Sequence, residues 1–557
     1  MARQTITGRD AFLQLLQDEG VTHLFGNPGT TELAIMEAVP KFPGLKYVLG
    51  LQESIVLGMA DGFARASGKL TACNLHCAPG LGHAMGALYN AKFSGSPIIV
   101  TAGQYEIGYG LTEPLLYEPL VPIAQPLVKW AVEVQRAEDL PRIVHRAAKI
   151  AMTPPMGPVF ISLPGSILDE EAEFDLKTPS RIDQRVRPGD DLLDELVDRM
   201  LSAKRPVILA GRELSDRDAL AEATLLAEQL GAAVYLEPVP YNVRFPAEHP
   251  NNLGDITRNQ KVVRQTLESY DLLICLGSDL LRMSPYSPVE PLPDDLPVVH
   301  ISERQWEIGK NYATEMGVCA DVKTTLQALL PVLENRKPDG YQDQAAARNA
   351  QIQSDNWTVK RQRKVAELSQ RATQTPIDQN YLMYLISESL PADAIVVEEA
   401  LTSAPAMASL LKANERRSYY GLASGGLGFG VPGAVGVSLA QPDRQVVAVL
   451  GDGSAMYSIQ ALWTAAHFRL PITFVLVNNR SYRVIKERLQ ALRGTDQFVA
   501  MDMSDPPIDF VHVATGLGVD AISITDPSQI REALQSSLAQ RGPRLIEVIV
   551  DDGYTKA

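Results

Sequence analysis

Two stretches in the last third of the chain carry oxygen donors at a spacing that suits a metal ion. The run 445–450 ends in Gly451-Asp452-Gly453-Ser454, and the next apolar run ends in Asn478-Asn479. Asp452 and Asn479 lie 27 positions apart, the length of one strand–helix–strand crossover, which returns both strand ends to one edge of a sheet. A carboxylate and an amide oxygen are hard donors suited to Mg2+, which completes its octahedron with waters and substrate phosphates. Gly451, Gly453 and Ser454 let backbone N–H groups approach a phosphate closely. In the first third, Glu53 closely follows the run 46–51 and opens a helical stretch, so its carboxylate stands near a strand end. His76 follows another such run, and an imidazole gives or takes protons near neutral pH. Thr30 offers a hydroxyl from a tight Pro28-Gly29 turn, suited to bonding a carboxylate or another substrate oxygen.

The elements that must position these residues read as βα units around parallel sheets, since short β-branched runs alternate with amphipathic stretches. Strands are predicted at 46–51, 70–75 and 96–102, with helices at 54–66 and 82–92 between them. A polar segment at 169–190 reads as a linker. The pattern restarts with strands at 206–210, 233–236, 272–276 and 298–301 and a helix at 218–230. A second polar stretch, 334–355, is expected to run over the surface to a third unit with strands at 394–397, 445–450, 472–477 and 544–550 and a helix at 459–468. Three open α/β domains in series result, at about 1–180, 190–340 and 370–557. No repeat of 20–50 residues is evident. Ligands of such sheets sit outside the carboxyl ends of strands, and that is where the candidate residues fall.

The stretch from Gly451 to Asn479 resembles the thiamine diphosphate (ThDP) binding motif, in which GDG is followed some 25–30 residues later by NN. The resemblance implies that Asp452, the side chain of Asn479 and the main-chain carbonyl of Ser481 hold Mg2+. It implies a pyrimidine-binding, a central and a diphosphate-binding domain. A ThDP enzyme needs a carboxylate against a ring nitrogen of the cofactor's aminopyrimidine in a dry site, and Glu53 is the candidate. Gly425-Gly426-Leu427-Gly428-Phe429 resembles the element that bends the cofactor, with Leu427 as the apolar prop and the Gly425 carbonyl as acceptor for the 4′-amino group.

The first third resembles benzoylformate decarboxylases. Phe25-Gly26-Asn27-Pro28-Gly29-Thr30-Thr31-Glu32-Leu33 is similar to their FGNPGSNEL-type loop, and Asn74-Leu75-His76 with Gly80, Gly82 and residues 84–88 to their NLH segment. The likeness runs through nearly the whole chain and is weakest between about Arg187 and Arg371; an FAD-dependent acetolactate synthase fits less well. It implies non-oxidative decarboxylation of a 2-oxo acid to an aldehyde, with Thr30 and His76 in the site. His83 and His467 read as structural. Two departures stand out. Ser284 occupies the place of a second active-site histidine, so carboligation to 2-hydroxy ketones is expected beside aldehyde release. Arg488 aligns with an aromatic wall of the substrate pocket and would suit a second anionic or polar group.

Composition sets the remaining bounds. The 557 residues are 45% hydrophobic and 21% charged, which excludes a disordered, collagenous or small disulfide-stapled protein. The net charge of −15 argues against nucleic acid and anionic membranes as partners, and no apolar run spans a bilayer. Cys73, Cys77, Cys275 and Cys319 read as buried free thiols in a reducing cytoplasm. Glu53 and the metal ligands lie in different domains, and the resemblance implies that a subunit interface joins them, in a homodimer or a homotetramer of two dimers. The competing readings are a ThDP-dependent C–C lyase or acyltransferase, a dinucleotide oxidoreductase, and a non-catalytic ThDP-binding regulator. No G-x-G-x-x-G closes a first βα turn ahead of a ribose-binding acid, which argues against the oxidoreductase.

Overall fold

The computed structural model describes residues 3–176, 182–239, 241–284 and 286–554. Among them are three six-stranded sheets, each with all its strand pairs parallel, and one two-stranded antiparallel ribbon. The near-continuous apolar character of the strands follows from burial on both faces, as in Val446–Gly451 and Ile472–Asn478.

The N-terminal sheet runs in the order Lys46–Leu49, His23–Gly26, Thr71–Leu75, Ile98–Gln104, Val159–Pro164, Ala131–Glu133. The C-terminal sheet runs Tyr419–Gly421, Ile395–Glu399, Val446–Gly451, Ile472–Asn478, Arg544–Ile549, Asp520–Ile524. Numbered within each unit, both orders are 2-1-3-4-6-5, so the two outer units share one topology although no repeat is visible in their sequences. In each, the chain leaves the first strand to one side and returns on the other. The crevice outside that reversal point is where ligands of such sheets bind. In the N-terminal unit it falls at residues 27–32 and His76; in the C-terminal unit it falls at Glu399 and Asp452. The central sheet has the order 3-2-1-4-5-6, beginning at its edge with Asn252–Asp255 and ending with Met316–Cys319.

The two outer units are locked together by helix on helix. Glu53–Ser67 lies against Gly430–Ala440, and glycines at the crossing let the backbones touch. A Cβ on Gly62 would stand 2.3 Å from the Gly433 carbonyl oxygen, and one on Gly436 would stand 2.0 Å from that of Met59. A single apolar core therefore runs from Phe25 and Ile55 through Val431 and Val435 to Phe474. Thr464 Oγ1 donating to the Leu49 carbonyl (2.9 Å) and Ser424 Oγ donating to Asn90 Oδ1 (3.0 Å) add polar links between the units.

The polar stretch 334–355 runs over the surface as expected, and most of it is helical, in Val322–Arg336 and Tyr341–Gln353. Its few apolar residues suffice because Tyr341 and Ala345, four apart, form one narrow buried stripe, and Arg348 donates to the Leu230 carbonyl (2.7 Å). Two expectations need correction. The segment 169–190 is not wholly a linker: Glu171–Phe174 pairs antiparallel with Gln4–Thr7, while 177–181 lies outside the described residues. Cys73, Cys77 and Cys275 are buried free thiols, but Cys319 is exposed, since it ends the edge strand of the central sheet.

Candidate active site

The helix Cys77–Ser94 begins directly after His76, five residues earlier than its pattern suggested, which places the imidazole at the helix entrance. Its position is fixed by a residue not singled out in the sequence. Glu32 is fully buried and accepts four hydrogen bonds: from Gly29 N (2.9 Å), Thr31 Oγ1 (2.7 Å), Gly103 N (3.1 Å) and His76 Nδ1 (2.9 Å). A carboxylate so placed favours the tautomer with the proton on Nδ1 and leaves Nε2 to face a substrate. Gly29 is obligatory beside the ring, since a Cβ there would lie 2.2 Å from His76 Nδ1. Thr30 is exposed at the start of this turn, whereas the Thr31 hydroxyl lies 3.2 Å from His76 Nδ1 and 3.3 Å from Cys77 Sγ. The Gly29-x-x-Glu32 spacing, a capping-box reach-back, is the signal that could have identified Glu32.

Glu53 is the first residue of its helix, capped by Gln52, whose side chain accepts from Ser54 N. The residue is 7% exposed. Its Oε1 lies 3.5 Å from Asn27 Nδ2 and its Oε2 lies 3.1 Å from His83 Nδ1. His83, whose helical setting read as structural, stands on the helix face that looks at Glu53. His467, by contrast, stacks on Trp463 with ring centroids 5.0 Å apart, as a structural residue does.

In the other half of the site, Asp452 opens a short helix at the end of Val446–Gly451. Its Oδ1 accepts from Gly453 N (2.8 Å), while Oδ2 is buried without a partner, as is Ser481 Oγ. Burial pushes the Asp452 carboxyl up to about 6 despite the main-chain N–H groups around it. Asn479 Oδ1 accepts from Ser481 N (2.9 Å) and curls the chain so that Asn479 and Ser481 stay buried near the strand end. Asn478 has a separate task, donating to Glu547 Oε1 (2.7 Å) across the sheet. An orphaned buried carboxylate oxygen beside an amide and a main-chain carbonyl fits a hard divalent cation that keeps room for phosphate oxygens. Gly451, Gly453 and Ser454 lie at the N-terminus of that turn, where backbone N–H groups suit a phosphate.

Gly425 adopts φ +79°, and Leu427, half-buried, packs against the core shared by the outer units. This loop is pinned by Glu399, a second buried carboxylate that the sequence reading did not single out. Glu399 accepts from Gly428 N (2.7 Å), Phe429 N (3.3 Å) and Gly430 N (2.7 Å), and burial pushes it up to about 7. Its signal was an acidic residue closing the apolar strand Ile395–Glu399.

Among the described residues no hydrogen bond joins Glu53 or His76 to Asp452 or Asn479 of the same chain. Ser284 is exposed in a loop after the central strand Leu272–Leu276. Arg488 is exposed on the helix Arg483–Arg493, and its charge, after burial, depresses Arg258 of the central unit. No hydrogen bond among the described residues ties either residue to the two constellations.

Comparison with known proteins agrees with this arrangement. Residues 6–114 match the description "Thiamine pyrophosphate enzyme, N-terminal TPP binding domain", 193–329 the central domain and 402–548 the C-terminal TPP binding domain. The chain is 33% identical over 548 residues to benzoylformate decarboxylase of Pseudomonas aeruginosa, covering 97% of this chain and 98% of that protein. It is 25% identical to the acetolactate synthase large subunit of Buchnera aphidicola, covering 96% and 93%. A solved ThDP-dependent 4-hydroxybenzoylformate decarboxylase from Rhodococcus jostii RHA1 superposes with a TM-score of 0.87 at 33% identity, covering 98% and 99%.

Proposed function

The chain belongs to the thiamine pyrophosphate enzyme family, as a ThDP-dependent enzyme of the decarboxylase and acetolactate synthase type, and on that premise we propose that it decarboxylates an aromatic 2-oxo acid of the benzoylformate kind to an aldehyde with Mg2+ as its metal. When bound, ThDP supplies a carbon nucleophile that adds to the 2-oxo carbonyl and accepts the electron pair left by CO2. Asp452, Asn479 and the Ser481 carbonyl would hold the metal, Gly451, Gly453 and Ser454 the diphosphate, and Gly425 and Leu427 the bent cofactor. Glu53 would share a proton with the aminopyrimidine in a sheltered position. The observation that carries the decarboxylase reading is the Glu32–His76 dyad, which fixes one imidazole nitrogen and leaves the other to deliver a proton to the product. Thr30, exposed at the same turn, would meet the substrate carboxylate. Ser284 and Arg488 would shape the far wall of the pocket, and a serine there favours carboligation with an aldehyde.

The central unit supports this reading over a dinucleotide-dependent one. At its reversal point, main-chain N–H groups after the first and fourth strands are bonded within the domain: Glu237 accepts from Arg212 N (2.8 Å) and Asp279 N (3.2 Å). Exposed apolar side chains lie in both outer units, with Leu111 and Leu115 in one and Tyr457 and Ile485 in the other. They support a homodimer at least, and a tetramer of dimers, in which one chain's Glu53 meets its partner's metal ligands. No helix among the described residues is long and apolar enough to cross a membrane. The three buried thiols suit a reducing cytoplasm.

Product analysis with ThDP and Mg2+ on benzoylformate, pyruvate and branched-chain 2-oxo acids, each with and without an aldehyde, tests the proposal. Aldehyde and CO2 from the aromatic acid are expected, with hydroxy ketone when aldehyde is added. Turnover confined to pyruvate would refute the aromatic assignment.

A further inference from the structure

We propose that His83 positions Glu53 and conducts its protons, linking the sheltered carboxylate to solvent in the assembled site. The inference rests on the role given to Glu53 above and extends it to a residue whose helical setting had suggested a structural part. The helix Cys77–Ser94 presents Gly80 and His83, three residues apart, to the same carboxylate. At Gly80 the missing side chain makes room, since a Cβ would lie 3.1 Å from Glu53 Oε1. One turn on, His83 Nδ1 reaches Glu53 Oε2 at 3.1 Å. The side chain of Glu53 is 10% exposed and that of His83 is 60% exposed, so the imidazole spans from a sheltered carboxylate to the surface of the chain.

Among the described residues, Asn27 and His83 are the side chains hydrogen-bonded to Glu53. The Asn27 amide donates but cannot relay a proton, whereas an imidazole takes a proton on one nitrogen while it gives one from the other. The step balances without any co-reactant. The Glu53 O–H bond breaks as Nδ1–H forms, the Nε2–H bond breaks, and water takes that proton; the reverse sequence recharges Glu53. A carboxyl that changes protonation state whenever the cofactor is activated needs such a path, because its shelter from water also closes direct exchange. With Oε2 held by His83, Oε1 would be the oxygen offered to the cofactor's aminopyrimidine.

The test separates relay from mere positioning. In the holoprotein, deuterium exchange at C2 of bound ThDP is followed by acid quench and proton NMR, and ThDP affinity by tryptophan fluorescence. His83→Asn preserves a hydrogen-bond donor and is expected to keep affinity within about 2-fold while slowing exchange roughly 10–100-fold. His83→Gly is expected to recover exchange on addition of imidazole. Exchange at the wild-type rate in His83→Asn, or no rescue of His83→Gly, would overturn the proposal. Absence of ThDP binding to the wild-type protein would instead overturn the reading of Glu53 as a cofactor residue. In the cofactor-free protein, the His83 ring 15N chemical shifts are expected to move on Glu53→Gln. Ring shifts that do not move would refute the pairing independently of the cofactor.

Discussion

The dyad of Glu32 and His76 gives the sharpest mutational expectation. Glu32→Gln keeps the shape of the side chain and one of its two acceptor oxygens. The other oxygen, Oε2, becomes an NH2 group facing Gly29 N and His76 Nδ1, both now within 2.9 Å of it. The imidazole can escape the conflict by moving its proton to Nε2 and accepting at Nδ1, but Gly29 N–H has no such recourse. One hydrogen bond to a charged group is therefore lost outright, at roughly 1.5–3 kcal/mol of stability. The catalytic cost has a different origin. A protonated His76 loses the carboxylate that stabilises it, and its neutral form now carries the proton on the substrate-facing nitrogen. Losing about 1.4–2.8 kcal/mol at the proton-transfer step lowers kcat roughly 10–100-fold. Affinity for ThDP should not change, because among the described residues Glu32 bonds to its own turn, Gly103 and His76. The assay pairs steady-state kinetics on benzoylformate with 15N NMR of the imidazole tautomer and thermal unfolding. A variant with wild-type kcat, or one whose Nδ1 keeps its proton, would refute the reasoning.

Three further outcomes follow from the same geometry. In the metal-free protein a proton competes with the cation for Asp452, so Mg2+ affinity measured by calorimetry should fall about tenfold per pH unit below about 6 and level off above it; Asp452→Asn should bind weakly at every pH. Glu398 is buried and pushed from 4.5 up to about 7, so it contributes stability below 4.5 that is lost as pH rises through 7. In Glu398→Gln the amide can still accept from Ala400 N and donate to the Tyr419 oxygen, so urea unfolding should show a gain of roughly 3 kcal/mol at pH 8 and little at pH 4.5. Gly436→Ala would drive a Cβ to 2.0 Å from the Met59 carbonyl oxygen, which cannot swing aside, so calorimetry should show a loss of about 3 kcal/mol or more, with the outer units loosened.

What could be read in the sequence followed physical lines. Runs such as 446–450 and 272–276 are apolar throughout because both faces of their strands are covered, and the chemistry at their ends was visible for the same reason. Short strands such as His23–Gly26 and Tyr419–Gly421 were not distinguishable, since three or four residues carry too little pattern. The turn at 29–32 shows what local reading leaves out: a capping-box geometry buries Glu32 and turns the Thr31 hydroxyl toward His76. His83 sits on a helix whose burial pattern does not announce one face, and its contact with Glu53, beside the close approach of Gly80, shows which way it points. The common topology of the outer units is a property of strand order, which similar residues are not needed to maintain.

The central claim is that Glu53 and the Asp452–Asn479 pair form one decarboxylating site from two copies of the chain. Mixing Glu53→Gln and Asp452→Ala proteins tests it directly, with aldehyde and CO2 from benzoylformate as the readout. Each variant alone should be inactive. Random exchange of subunits makes about half the dimers mixed, each with one intact site, so recovery of about a quarter of wild-type activity is expected. No recovery on confirmed exchange would mean that each site is completed within a single chain and would contradict the account.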